Sequence, residues 1–84
     1  MARIELSNTQ WTDLSSYLTS DTTYWLQSNS TRNMEAENIY LTQEDPSDLK
    51  DGVLGHDFRF KFSEKLYVRS QTGLTSIKLE EIQQ

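Results

Sequence analysis

The chain has 84 residues, no cysteine and a formal net charge of −5. That length fits one domain, taken as 1–84, and the absence of cysteine excludes a disulfide scaffold, a thiolate zinc site, an iron–sulfur cluster and a thiol nucleophile. The negative charge disfavours generic binding to phosphate backbones, and nine aromatic residues argue against disorder.

Arg3-Ile4-Glu5-Leu6 reads as a short first strand. Between Asn8 and Ser20 the intervals of Trp11, Leu14, Tyr17 and Leu18 suit a helical turn, but serine and threonine crowd the segment and favour turns. At most one short helical turn is expected there. Thr22 to Gln27 is rich in β-branched and aromatic residues, as strands are. Ser28 to Asn33 reads as a polar turn and contains the sequon Asn29-Ser30-Thr31, an unused one if the chain is not secreted. Asn38 to Thr42 alternates, with Ile39 and Leu41 inward. Glu44 to Gly52 is a long acidic loop, because Pro46 cannot sit in a central strand. Val53-Leu54, between Gly52 and Gly55, reads as a short edge strand.

The clearest strand is Asp57-Phe58-Arg59-Phe60-Lys61-Phe62, with three phenylalanines on one face and two cations on the other. Lys65 to Ser70 and Thr75 to Glu80 repeat the alternation, and the short turns between these three segments predict a C-terminal three-strand meander. Sheets without a helix to cover them must fold over or close, so the fold expected is an all-β antiparallel sandwich or barrel. Its predicted interior is Ile4, Leu6, Leu14, Leu18, Tyr24, Leu26, Ile39, Leu41, Phe58, Phe60, Phe62, Leu66, Val68, Ile77 and Leu79.

Met1 to Asn8 holds no apolar core of a secretory leader and the longest apolar runs are three residues, so synthesis in a cytoplasm without membrane insertion is expected. Residues 1–49 carry two basic and eight acidic side chains, and residues 50–79 carry six basic and three acidic. That asymmetry suits self-association or a protein partner.

Tests for chemistry yield little. The single histidine, His56, has no nucleophile elbow near it and reads as a turn residue beside Gly55. Glu44, Asp45, Asp48 and Asp51 share one polar loop in which nothing would desolvate a carboxyl and raise its pKa. The spacing of three in Asp45, Asp48 and Asp51, followed by Gly52, also departs from the alternate positions a calcium loop requires. The aromatic–cation run 58–62 resembles a sheet-type RNA platform, but its aromatics form the regular apolar face, which makes them core. No catalytic residue, metal, cofactor or nucleic-acid ligand is expected, and the chain reads as non-enzymatic.

The outward positions are more informative. With Tyr24 and Leu26 inward, Trp25 points out, and the same logic turns Tyr40 and Tyr67 outward. Large aromatics opposite a core face suggest a second burial event, and tryptophan, tyrosine and arginine are the usual anchors. Trp25, Tyr40 and Tyr67, framed by Arg59, Lys61 and Arg69, are the candidate interface. The alternative is cover within the monomer, for example by the Asn8–Ser20 segment.

Thr23-Tyr24-Trp25-Leu26-Gln27, a loop with Pro46, a short strand near Gly52, and Lys65-Leu66-Tyr67-Val68-Arg69-Ser70 followed by Gly73 and Ile77-Lys78-Leu79-Glu80 resemble small β-structured virion proteins of tailed bacteriophages and prophages. The resemblance covers about residues 22–81. It implies an oligomeric β-sandwich, with a trimer among the possible assemblies, that decorates a capsid or joins head parts, without catalytic residues. The expected function is therefore that of a virion structural protein, made in the host cytoplasm, binding a capsid or other virion protein and its own copies. A phage-encoded inhibitor of a host protein, and a small carbohydrate-binding module using Trp25 and Tyr40, are the alternatives.

Overall fold

The computed structural model describes residues 2–48, 51–73 and 75–82. Eight strands follow one another: β1 (Ala2–Leu6), β2 (Thr12–Asp13), β3 (Thr22–Ser30), β4 (Ile39–Thr42), β5 (Val53–Gly55), β6 (Asp57–Phe62), β7 (Tyr67–Ser70) and β8 (Thr75–Glu81), with one 3-10 turn at Ser15–Tyr17. They form two antiparallel four-stranded sheets, sheet A in the order β1-β8-β3-β6 and sheet B in the order β2-β7-β4-β5. The all-β sandwich is thus present, and the Asn8–Ser20 segment holds a single helical turn.

The topology has a simple origin. β4 pairs with β5, β3 with β6, β2 with β7 and β1 with β8. The chain is therefore one long double hairpin, folded at the acidic loop and rolled into two layers. The additional pairs β3–β8 and β4–β7 close the roll. This strand order is that of an eight-stranded jelly roll, two interlocked Greek keys.

The predicted meander is absent. β6, β7 and β8 alternate between layers, and none pairs with its chain neighbour. The reason lies at the β6–β7 link. Leu14 N donates to Leu66 O at 2.8 Å and Leu66 N donates to Ser15 Oγ at 3.1 Å, which draws the chain across to β2. Phe62 and Val68 then enter the interior from opposite sheets, each nearly fully buried, whereas a hairpin would have stacked both on one layer.

Eleven predicted interior side chains form the buried cluster, from Leu6 to Leu79, and Ile4, Leu18, Phe58 and Phe60 pack against it half-buried. Phe58 and Phe60 stay partly open because β6 is an edge strand.

β3 runs on through Ser30, where a polar turn had been expected. Ser28 and Ser30 continue its inward alternation, and the core tolerates them because their hydroxyls are partnered. Ser28 Oγ donates to Glu37 O at 2.5 Å and Ser30 Oγ accepts from Arg32 N at 3.1 Å. Ser70 and Thr75 complete this polar end of the interior, joined Oγ to Oγ1 at 2.7 Å. No buried side-chain polar atom among the described residues lacks a partner.

Candidate functional site

Residues directly opposite each other in an antiparallel ladder share a face. On the outside of sheet B, Tyr40 lies between Arg69 and Leu54, and Tyr67 lies between Thr42 and Asp13. On the outside of sheet A, Trp25 lies between Arg59 and Glu80, and Thr23 stands beside Lys61. The six candidate interface residues are therefore split between opposite faces: Trp25, Arg59 and Lys61 on one, Tyr40, Tyr67 and Arg69 on the other. Trp25 and Tyr40 cannot form one sugar-stacking platform.

Each outward aromatic is capped by a charged group of its own chain. The Arg59 guanidinium carbon sits 5.1 Å from the Trp25 ring centre, and the indole Nε1 donates to Asp57 Oδ1 at 2.7 Å. The Arg69 guanidinium carbon lies 4.6 Å from the Tyr40 ring centre, a cation–π contact. Tyr67 Oη donates to Asp45 Oδ1 at 3.0 Å, and Lys65 Nζ holds Asp45 Oδ2 at 2.7 Å. Those two hydrogen bonds, Lys65 first, hold the Asp45 carboxyl below its ordinary value, and Asp45 in turn raises Lys65 and Tyr67.

Arg69 corrects the expectation of an exposed rim charge. It is only 7% exposed, and its Nη1 donates to Asn8 O at 2.6 Å and Ser70 O at 3.1 Å. The segment after β1 thus holds the Arg69 guanidinium through the Asn8 carbonyl. Arg59 and Lys61 are exposed, while Trp25, Tyr40 and Tyr67 are half-buried.

The exposed apolar surface lies elsewhere. Val53 is 63% and Leu54 44% exposed on β5, the outer strand of sheet B, with Leu54 directly beside Tyr40. The sequence marked this edge strand but gave no sign of its exposure. β5 leads through His56 alone into β6, the outer strand of sheet A. The two edges therefore form one nearly continuous border along a side of the sandwich.

His56 is exposed at this bend, and its carbonyl accepts Ser28 N at 2.9 Å. Among the described residues no group of three or more histidines, aspartates and glutamates is placed to hold a metal ion. In the acidic loop, Asp51 Oδ2 accepts from Ser47 N, Ser47 Oγ and Asp48 N, so this carboxylate braces the turn, and the Ser47 hydrogen bonds lower its pKa. Leu49 and Lys50 of this loop lie outside the described residues. A depression of about 420 Å³ is lined by Glu5, Thr31, Met34 and Ser76, with one carboxylate and no acid–base pair. No described helix is long and apolar enough to cross a membrane.

No family model, curated protein or solved structure matches this chain.

Proposed function

We propose that this protein is a non-enzymatic structural component of a tailed-phage particle, of the capsid-decoration or head-associated kind, made in the host cytoplasm and incorporated into the virion. It binds a larger virion protein, and it binds its own copies. The observation that carries the binding reading is the exposed apolar edge of sheet B, where Leu54 stands open beside the braced Tyr40 on the outer face and Val53 lies open on the other side of the same edge strand. A monomeric domain gains nothing from that exposure, and a docking partner would bury it. The clamped aromatics around it form a rigid, preorganised surface, which lowers the ordering cost of association. The particle assignment rests on the resemblance of segments 22–81 to virion proteins, and on fold-level analogy with the jelly rolls of viral capsid domains.

The test is reconstitution. Particles assembled without the protein are mixed with purified chain and sedimented. Saturable co-sedimentation is expected, weakened roughly tenfold or more by Leu54→Asp, as for an anchor lost from an interface centre. A chain that stays in the supernatant at every concentration overturns the reading.

A further inference from the structure

The geometry points to β6 as a self-complementary edge through which two copies join their A sheets across a two-fold axis. This deepens the self-association part of the proposed function and does not depend on the particle. Ser28 N donates to His56 O, which marks that pair as a hydrogen-bonded one. By the alternation of an antiparallel ladder, Leu26–Phe58, Tyr24–Phe60 and Thr22–Phe62 are hydrogen-bonded too. The bond from Ile82 N to Thr23 O agrees, turning the odd residues of β3 toward β8. The main-chain N–H and C=O groups of Asp57, Arg59 and Lys61 therefore point away from β3, toward the open border of sheet A. Such a row is a template for another strand.

The side chains select the strand. An antiparallel β6 pair with Asp57 of one copy opposite Arg59 of the other repeats that opposite-charge contact by symmetry, as an isologous interface must. The same register brings Phe58 against Phe58 at a non-hydrogen-bonded position, where side chains approach most closely. It leaves Lys61 beyond the start of the partner's β6, clear of like charge. Shifting by two residues one way opposes Asp57 to Asp57; shifting the other way sets Asp57 against Lys61 but opposes Arg59 to Arg59 at the axis, a repulsion the first register lacks. Both charges are already set in place from one side chain, since the Trp25 indole donates to Asp57 and lies under Arg59. The half-buried Phe58 and Phe60 gain cover in the pair, and the two A sheets merge into one continuous sheet.

Sedimentation velocity at high micromolar concentration tests this, with thermal melts to verify folding. The wild type is expected to be a dimer that weakens with salt. Arg59→Pro removes an N–H that the monomer does not use, so it should melt cooperatively and sediment as a monomer. Arg59→Asp and Asp57→Arg should each weaken dimerisation by more than roughly tenfold through like-charge contacts, and the double exchange should restore it. The exchange set decides the matter if the proline variant fails to fold. A monomeric wild type, a dimer undiminished in folded Arg59→Pro, or an exchange that restores nothing overturns the edge pairing. Each of these leaves particle reconstitution to be judged separately.

Discussion

Arg69→Ala should damage the fold, whereas Arg59→Ala should not, although both arginines lie over an outward aromatic. Arg69 is nearly buried, with Nη1 2.6 Å from Asn8 O and its guanidinium over Tyr40. Hydrogen bonds from a charged donor contribute about 1.5–3 kcal/mol, and a desolvated cation–π contact about 2 kcal/mol. The two share one group and do not add fully, so the loss is about 3 kcal/mol. A chain of this length has a total stability of roughly 4–13 kcal/mol, and each kcal/mol shifts the melting midpoint by about 4–8 °C. Arg69→Ala should therefore melt roughly 10–25 °C below wild type. Arg59 is exposed, so its cation–π contact is worth only about 0.5–1 kcal/mol, a shift of a few degrees. Circular-dichroism melts at low protein concentration, where association does not contribute, provide the comparison. Equal, small shifts in the two variants would refute the assignment of Arg69 to the fold.

Phe62→Ala should destabilise by about 3–5 kcal/mol, and Phe60→Ala by clearly less, because Phe62 is 2% exposed while Phe60 sits half-open on the edge; urea titrations rank them, and the reverse order would contradict the burial. Gly52→Ala should cost at least about 1–3 kcal/mol, since Gly52 has φ +88° and an added Cβ would also clash with the Leu41 carbonyl; an unchanged urea midpoint would contradict this. Asp13, Asp45 and Asp51 have folded pKa values lowered from 3.8. Their contribution is present above that value and lost as pH falls through the folded values, so stability should decline below about pH 4. Lys65 and Tyr67 are raised, and their contribution fades only above about pH 10. Urea midpoints at pH 3 and 7 should converge in Asp45→Asn relative to wild type.

Much of the fold was legible because alternation is a local signal. Asp57–Phe62 is a strand in the structure with the bounds its pattern gives, and every predicted interior residue lies in or against the core. Layer assignment was not legible. A link of a few residues serves equally as a hairpin or as a crossing between sheets, and the choice was made by Leu14 and Ser15 holding Leu66, some fifty residues away. The same ignorance of layers merged Trp25 and Tyr40 into one patch. Ser28 and Ser30 looked like turn formers because the groups that satisfy their hydroxyls, the Glu37 carbonyl and the Arg32 amide, come from the chain that follows and turns back. Arg69 looked exposed because the carbonyl that buries it belongs to Asn8, far off in sequence.

The most direct measurement of the functional claim is the copy number of this chain in purified phage particles induced from the cell that encodes it, by quantitative mass spectrometry against the major shell protein. A virion structural protein should appear at a fixed ratio that survives density-gradient purification and a high-salt wash. Its presence in the soluble fraction of the producing cell, together with its absence from washed particles, would contradict the account and leave a host-directed inhibitor as the reading.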